Sequence, residues 1–132
     1  MSKKKQLKNN QNFDFEEVEK WLEEYFLDPL TSYYDATQFQ IDLYETEKEW
    51  IVEAILNEYQ TSELKVYIEG DKLVISASKS PPSKIKKRER TINFPFQVVN
   101  QAVYATFTNG ILEVVISKID RCIGKNRYIT LP

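Results

Sequence analysis

Apolar positions along this chain follow two periods, one giving way to the other near residue 38. Phe15, Val18, Trp21, Leu22, Tyr25 and Phe26 fall at helical spacing, and Glu16, Glu17, Glu19, Lys20, Glu23 and Glu24 fill the opposite face. Asp14 stands where a cap accepts the first free amides, with Glu17 three residues on as in a capping box. Asp28-Pro29 predicts the end of this helix, because a residue before proline avoids the helical region. The result is a short amphipathic helix of about four turns, acidic on one face and aromatic on the other. Two readings of the aromatic stripe stay open: it packs on its own domain, or it is a sticky arm for self-association or client proteins.

Beyond residue 38 the period becomes two. Phe39 to Leu43, Trp50 to Ile55, Leu64 to Ile68, Leu73 to Ala77, Thr91 to Phe96, Val103 to Phe107 and Ile111 to Ile116 each read as a half-buried strand. Glu69-Gly70-Asp71-Lys72 predicts one tight hairpin and Thr108-Asn109-Gly110 another, Asn-Gly being the strongest short hairpin signal. Pro95 places its segment at a sheet edge or at an exit from the sheet. Seven short strands at regular spacing predict an all-β, antiparallel, immunoglobulin-like β-sandwich preceded by the helix. The organisation expected is a disordered basic segment at 1–12, an aromatic helical arm at 13–38, the sandwich at 39–117 and a flexible tail at 118–132. Within that tail, Ile129 and Leu131 project to one side of an extended chain and could plug a groove by strand addition.

Composition narrows the function. There is no histidine and one cysteine, Cys122, in 132 residues. That removes the commonest general base and metal ligand, excludes zinc-finger sites, and leaves no intramolecular disulfide. The three glycines lie far apart, so there is no phosphate-cradling loop, and no carboxylate group has calcium-loop spacing. The expectation is a binding protein with no enzymatic activity and no cofactor. No apolar run approaches the roughly 20 residues a membrane span needs, so no membrane partner is expected and a cytoplasmic location is. Charge is segregated: residues 1–12 sum to +4, 13–63 to −13 and 79–90 to +5, within a total of −2. The run from Lys79 to Arg90 lacks interleaved aromatics and is broken by Pro81-Pro82, which reads as a solvated loop rather than a nucleic-acid surface.

Several motifs stand in the order found in one family. Ala105-Thr106-Phe107-Thr108-Asn109-Gly110-Ile111-Leu112 resembles the A-x-x-x-N-G-V-L signature of the small heat-shock protein (α-crystallin) family, with Ile111 for the usual valine. Asp42, Glu45 and Thr46 are similar to its D-x-x-E-T strand, and Val52 to Leu56 to its V-x-A-x-L segment. Leu73 to Ala77 resembles L-x-I-x-A, Arg90 to Pro95 resembles R-x-F-x-L-P, and Ile129-Thr130-Leu131 resembles the terminal I-x-I. Asn57-Glu58 replaces the family's Pro-Gly, and the loop from Lys79 to Glu89 is shorter than the loop through which many bacterial members exchange a strand.

The resemblance implies an α-crystallin domain and an ATP-independent holdase that keeps partly unfolded clients from aggregating as a homo-oligomer. It implies that Ile129 and Leu131 dock in a groove between Leu64, Val66 and Ile68 on one strand and Val103, Ala105 and Phe107 on another. It also implies that Arg90 meets an acidic partner at a subunit contact, and that Asn109, Gly110 and Leu112 form the signature turn. The arm, Phe15 through Phe26, would serve clients or self-association. The alternative is a structural protein of a spore coat or similar assembly on the same sandwich. A co-chaperone adaptor of the CS-domain type fits less well, given the tail motif and the Asn109-Gly110 turn.

Overall fold

The computed structural model describes residues 15–79 and 87–132, and of Phe15 only the backbone. Two helices, α1 (Phe15–Leu27) and α2 (Pro29–Thr37), precede eight strands: β1 (Ile41–Glu45), β2 (Glu49–Ile55), β3 (Leu64–Glu69), β4 (Lys72–Ala77), β5 (Arg88–Asn93), β6 (Gln101–Thr108), β7 (Ile111–Arg121) and β8 (Arg127–Ile129). The strands form two antiparallel sheets, ordered β1-β2-β7-β6 and β5-β4-β3-β8. Alternation decides what lies between them. Val52 and Ala54 of β2, Val66 and Ile68 of β3, Leu73 and Ile75 of β4, and Leu112, Val114 and Ile116 of β7 are all buried. This is the expected all-β sandwich.

Both predicted hairpins form, with Glu69 opposite Lys72 and Thr108 opposite Ile111. Asn109 (φ 54°) and Gly110 (φ 79°) are both left-handed, as a two-residue type I′ turn requires.

Several boundaries differ from the sequence reading, among them β1, which spans 41–45 rather than 39–43. Asp28-Pro29 ends α1 but also opens α2: the Asp28 carboxylate accepts from the Leu30 amide at 2.9 Å, and Pro29 occupies the first turn, where its missing N–H costs nothing. Strand β5 spans 88–93 rather than 91–96, since Pro95 terminates pairing on its far side. Strand β7 runs past Ser117 to Arg121, and the tail expected to be irregular supplies β8 on β3. The segment 1–12 and the cap Asp14 lie outside the described residues.

Candidate functional site

The tail is the first candidate. Strand β8 pairs antiparallel with β3 of its own chain, placing Ile129 opposite Val66, Tyr128 opposite Tyr67 and Arg127 opposite Ile68. Polar groups hold it there. Arg127 donates to the carbonyls of Val99 (3.0 Å) and Gln101 (2.9 Å), and the Asn126 side-chain oxygen accepts from the Gly70 amide at 3.0 Å. The Tyr67 and Tyr128 rings lie 4.7 Å apart on the outer face. Ile129 and Leu131 are half-buried and line a cleft of about 480 Å³ with Thr61, Leu64 and Val66. The structure therefore brings the tail pair to Leu64 and Val66. Ile68 points into the core, as do Val103 and Ala105, while Phe107 is half-buried against it. The three β6 residues do not line this cleft, because the tail lies along β3 and the 3₁₀ turn at Thr61–Glu63.

The arm is the second candidate. Val18 is buried, and Trp21 is half-buried with its ring 5.0 Å from that of Phe94, just beyond β5. Leu22 and Tyr25 also pack against the core. Most of the predicted stripe thus covers its own sandwich. The Phe15 side chain lies outside the described residues; among the others Phe26 is the exception at 56% exposed, and it continues into Leu27, Leu30, Tyr33 and Tyr34, all exposed at the corner between α1 and α2. The Thr31 hydroxyl closes that corner by donating to the Tyr25 carbonyl at 2.6 Å.

Arg90 joins the arm to the sheet. Its side chain is 3% exposed, and its Nη1 donates to Asp35 Oδ1 and to the Phe39 carbonyl, both at 2.7 Å. Nη2 lies 3.4 Å from the Tyr25 hydroxyl, and the Tyr34 ring stands over the guanidinium. Burial raises the Tyr25 pKa above 10.0, with the nearby Arg90 charge pulling the other way. The acid that meets Arg90 in this structure is Asp35 of the same chain. A buried guanidinium needs its charge and several N–H groups satisfied, and here Asp35 of α2, the Phe39 carbonyl and the Tyr25 hydroxyl of α1 supply partners from the same chain.

Lys118, near the far end of β1 from Arg90, has no counterpart in the sequence reading. Lys118 of β7 is 1% exposed at its side chain, yet its ammonium is satisfied by Glu45 Oε2 (2.6 Å), by the Thr46 carbonyl (2.7 Å) and by the face of Trp50. Desolvation lowers its pKa below 10.5, partly offset by Glu45. The signal was available, because Leu112, Val114, Ile116 and Lys118 share one alternating face.

Among the described residues no group of three or more His, Cys, Asp or Glu side chains is placed to hold a metal ion, and Cys122 is exposed. No helix there is long and apolar enough to cross a membrane. What the geometry defines is a rigid two-sheet sandwich with a strand-seated tail and a helical arm. The sequence model of the Hsp20/alpha crystallin family matches residues 42–131, and the chain belongs to that family. It is 31% identical over 111 residues to spore coat protein M of Bacillus subtilis (strain 168), covering 84% of this chain and 81% of that one. Among solved structures it resembles the A102D mutant of hsp14.1 from Sulfolobus solfataricus P2 (TM-score 0.53, 20% identity, 76% of this chain and 97% of that one). It also resembles AgsA of Salmonella typhimurium in a C-terminally truncated form (TM-score 0.50, 15% identity, 63% and 86%). These two likenesses define the fold, which is that of small heat-shock proteins.

Proposed function

We propose that this protein is an ATP-independent holdase of the small heat-shock type, which binds partly unfolded chains and keeps them from aggregating. The observation that carries this reading is the exposed apolar corner of the arm, Phe26, Leu27, Leu30 and Tyr33, set beside a rigid sandwich. Such a surface on a soluble domain marks a place where apolar segments dock. The chain works as a homo-oligomer in the cytoplasm, with Ile129 and Leu131 as connectors between copies. The test is light scattering of a heat-stressed model client. The wild-type chain suppresses scattering at near-stoichiometric ratios, and a F26S/L27S/L30S variant of unchanged circular dichroism loses most of that protection. Equal protection by both proteins would remove the corner from the mechanism.

A second reading is favoured by one specific finding, the similarity to spore coat protein M. On that reading the same sandwich is a structural element of a spore coat or similar assembly. It predicts stable particles on a sizing column and no suppression of client scattering by the wild-type chain.

A further inference from the structure

The outer side of α1 carries a cleft of which the holdase reading uses only Leu27, at one end of its floor. It has a volume of about 550 Å³, an apolar floor of Leu22 and Leu27, and a rim formed by Glu16, Glu23 and Glu24 of α1 and by Glu45 at the end of β1. Glu19 and Lys20 also line it. Leu27 is 74% exposed, so among the described residues nothing covers that end of the floor. An apolar floor inside a ring of carboxylates suits an aliphatic side chain flanked by cations, whose methylene stems lie on the floor while the ammonium groups reach the rim.

The same chain holds a segment of that chemistry immediately before α1. Residues 1–12 contain Lys3, Lys4, Lys5, Leu7 and Lys8 and no acid. We propose that this N-terminal segment folds back along α1 of its own chain and occupies the cleft, with Leu7 over Leu22 and Leu27 and the lysines on the glutamate rim.

Reach permits it. Helix α1 is about 20 Å long at 1.5 Å per residue. The stretch between Lys8 and Phe15 spans up to about 23 Å when extended, enough to double back over the whole helix. A tether this short holds the segment at an effective concentration in the millimolar range, so weak individual contacts suffice. The lysines also relieve α1, which carries five glutamates against one lysine in 13 residues.

The test places the photo-reactive residue p-benzoylphenylalanine at position 7 of the full-length chain. Equal amounts of ¹⁴N- and ¹⁵N-labelled protein are mixed, irradiated and digested, and the adducts are read by mass spectrometry. The expected adducts join position 7 to the peptide spanning 16–27, within single-isotope pairs. Their yield falls several-fold in a Glu16→Gln/Glu23→Gln/Glu24→Gln background and in 0.5 M NaCl. Mixed-isotope adducts would assign the cleft to a second copy's segment and overturn the intramolecular contact. Adducts elsewhere, or a yield indifferent to both the glutamines and the salt, would overturn the docking altogether. No client enters this experiment, so its outcome is independent of holdase activity.

Discussion

Arg90 and Asp35, 55 residues apart in the chain, meet at 2.7 Å and fasten the helical arm to the edge strand β5. The pair is unequal. Asp35 keeps about a third of its side chain in solvent, while Arg90 keeps almost none.

That inequality sets the order of two substitutions. Asp35→Ala leaves a buried guanidinium with the Phe39 carbonyl as its main acceptor, and should cost about 3 kcal/mol or more. Arg90→Met leaves a carboxylate that water can reach, and should cost less. Urea unfolding followed by circular dichroism orders the two, and a costlier Arg90→Met would mean that the arginine's other contacts dominate.

The Asn109-Gly110 turn is constrained from outside. A Cβ on Gly110 would fall 2.1 Å from Asn57 Oδ1 and 3.0 Å from Asn57 Cα, at a φ that L-residues resist. Gly110→Val should therefore cost more than the roughly 1–3 kcal/mol of backbone strain alone. Adding Asn57→Gly should recover part of the loss, a coupling that a double-mutant cycle measures. Leu112→Ala, which empties a fully buried site behind the turn, should cost about 2–5 kcal/mol and gain nothing from Asn57→Gly.

Lys118 gives a pH signature. Burial, the larger influence, puts its folded pKa below the unfolded value of 10.5, with Glu45 opposing. Between those two values the unfolded chain holds more protons, so this group makes stability rise as pH rises towards 10.5. Lys118→Met should cost less at pH 7 than removal of Glu45, since the Glu45 carboxylate that it leaves is partly exposed to water. The wild-type stability minus that of Lys118→Met should increase on alkalinisation through this window, and subtraction removes the opposing titration of tyrosines. A flat difference would show the ammonium to be unperturbed. Glu45→Ala, which strands the buried cation, should cost about 3 kcal/mol at pH 7.

Replacing Ile129 and Leu131 together by glycine should leave both sheets folded, with unaltered circular dichroism. Hydrogen exchange of β3 amides should accelerate as β8 loses its anchors. On a sizing column loaded at high protein concentration, any assembly that the wild-type chain forms should fall to dimers or monomers in the variant, and an unchanged elution volume would mean that the tail does not connect copies.

The sandwich was legible because its strands alternate cleanly, and the Asn-Gly and Gly-Asp turns are marked by residues with few other uses. Helix α2 is hidden for a physical reason: Asp28-Pro29 reads as a stop, although aspartate followed by proline is equally a helix start. Strand β8 has three residues and no period of its own, so only the free edge of β3 reveals it. The burial of Arg90 and Lys118 was visible in principle. Each sits two residues from a buried isoleucine, Ile92 or Ile116, on an inward face, but a charged residue there is ordinarily taken as solvated. The acceptors that make burial tolerable, Asp35 and Glu45, lie too far along the chain for any local pattern to connect them.

Strand β8 on its own β3 also sets the terms on which copies can join. A tail seated at home and a tail seated on a neighbour make the same contacts, so the contact energy cancels between the two arrangements. What remains is a competition of concentrations: the home site presents itself at an effective concentration in the millimolar range, and a neighbour's site at the concentration of the protein. Dilute chains should therefore stay closed, and exchange should begin only where local crowding or an added contact outbids the home site. Assembly would then switch on over a narrow range of protein abundance.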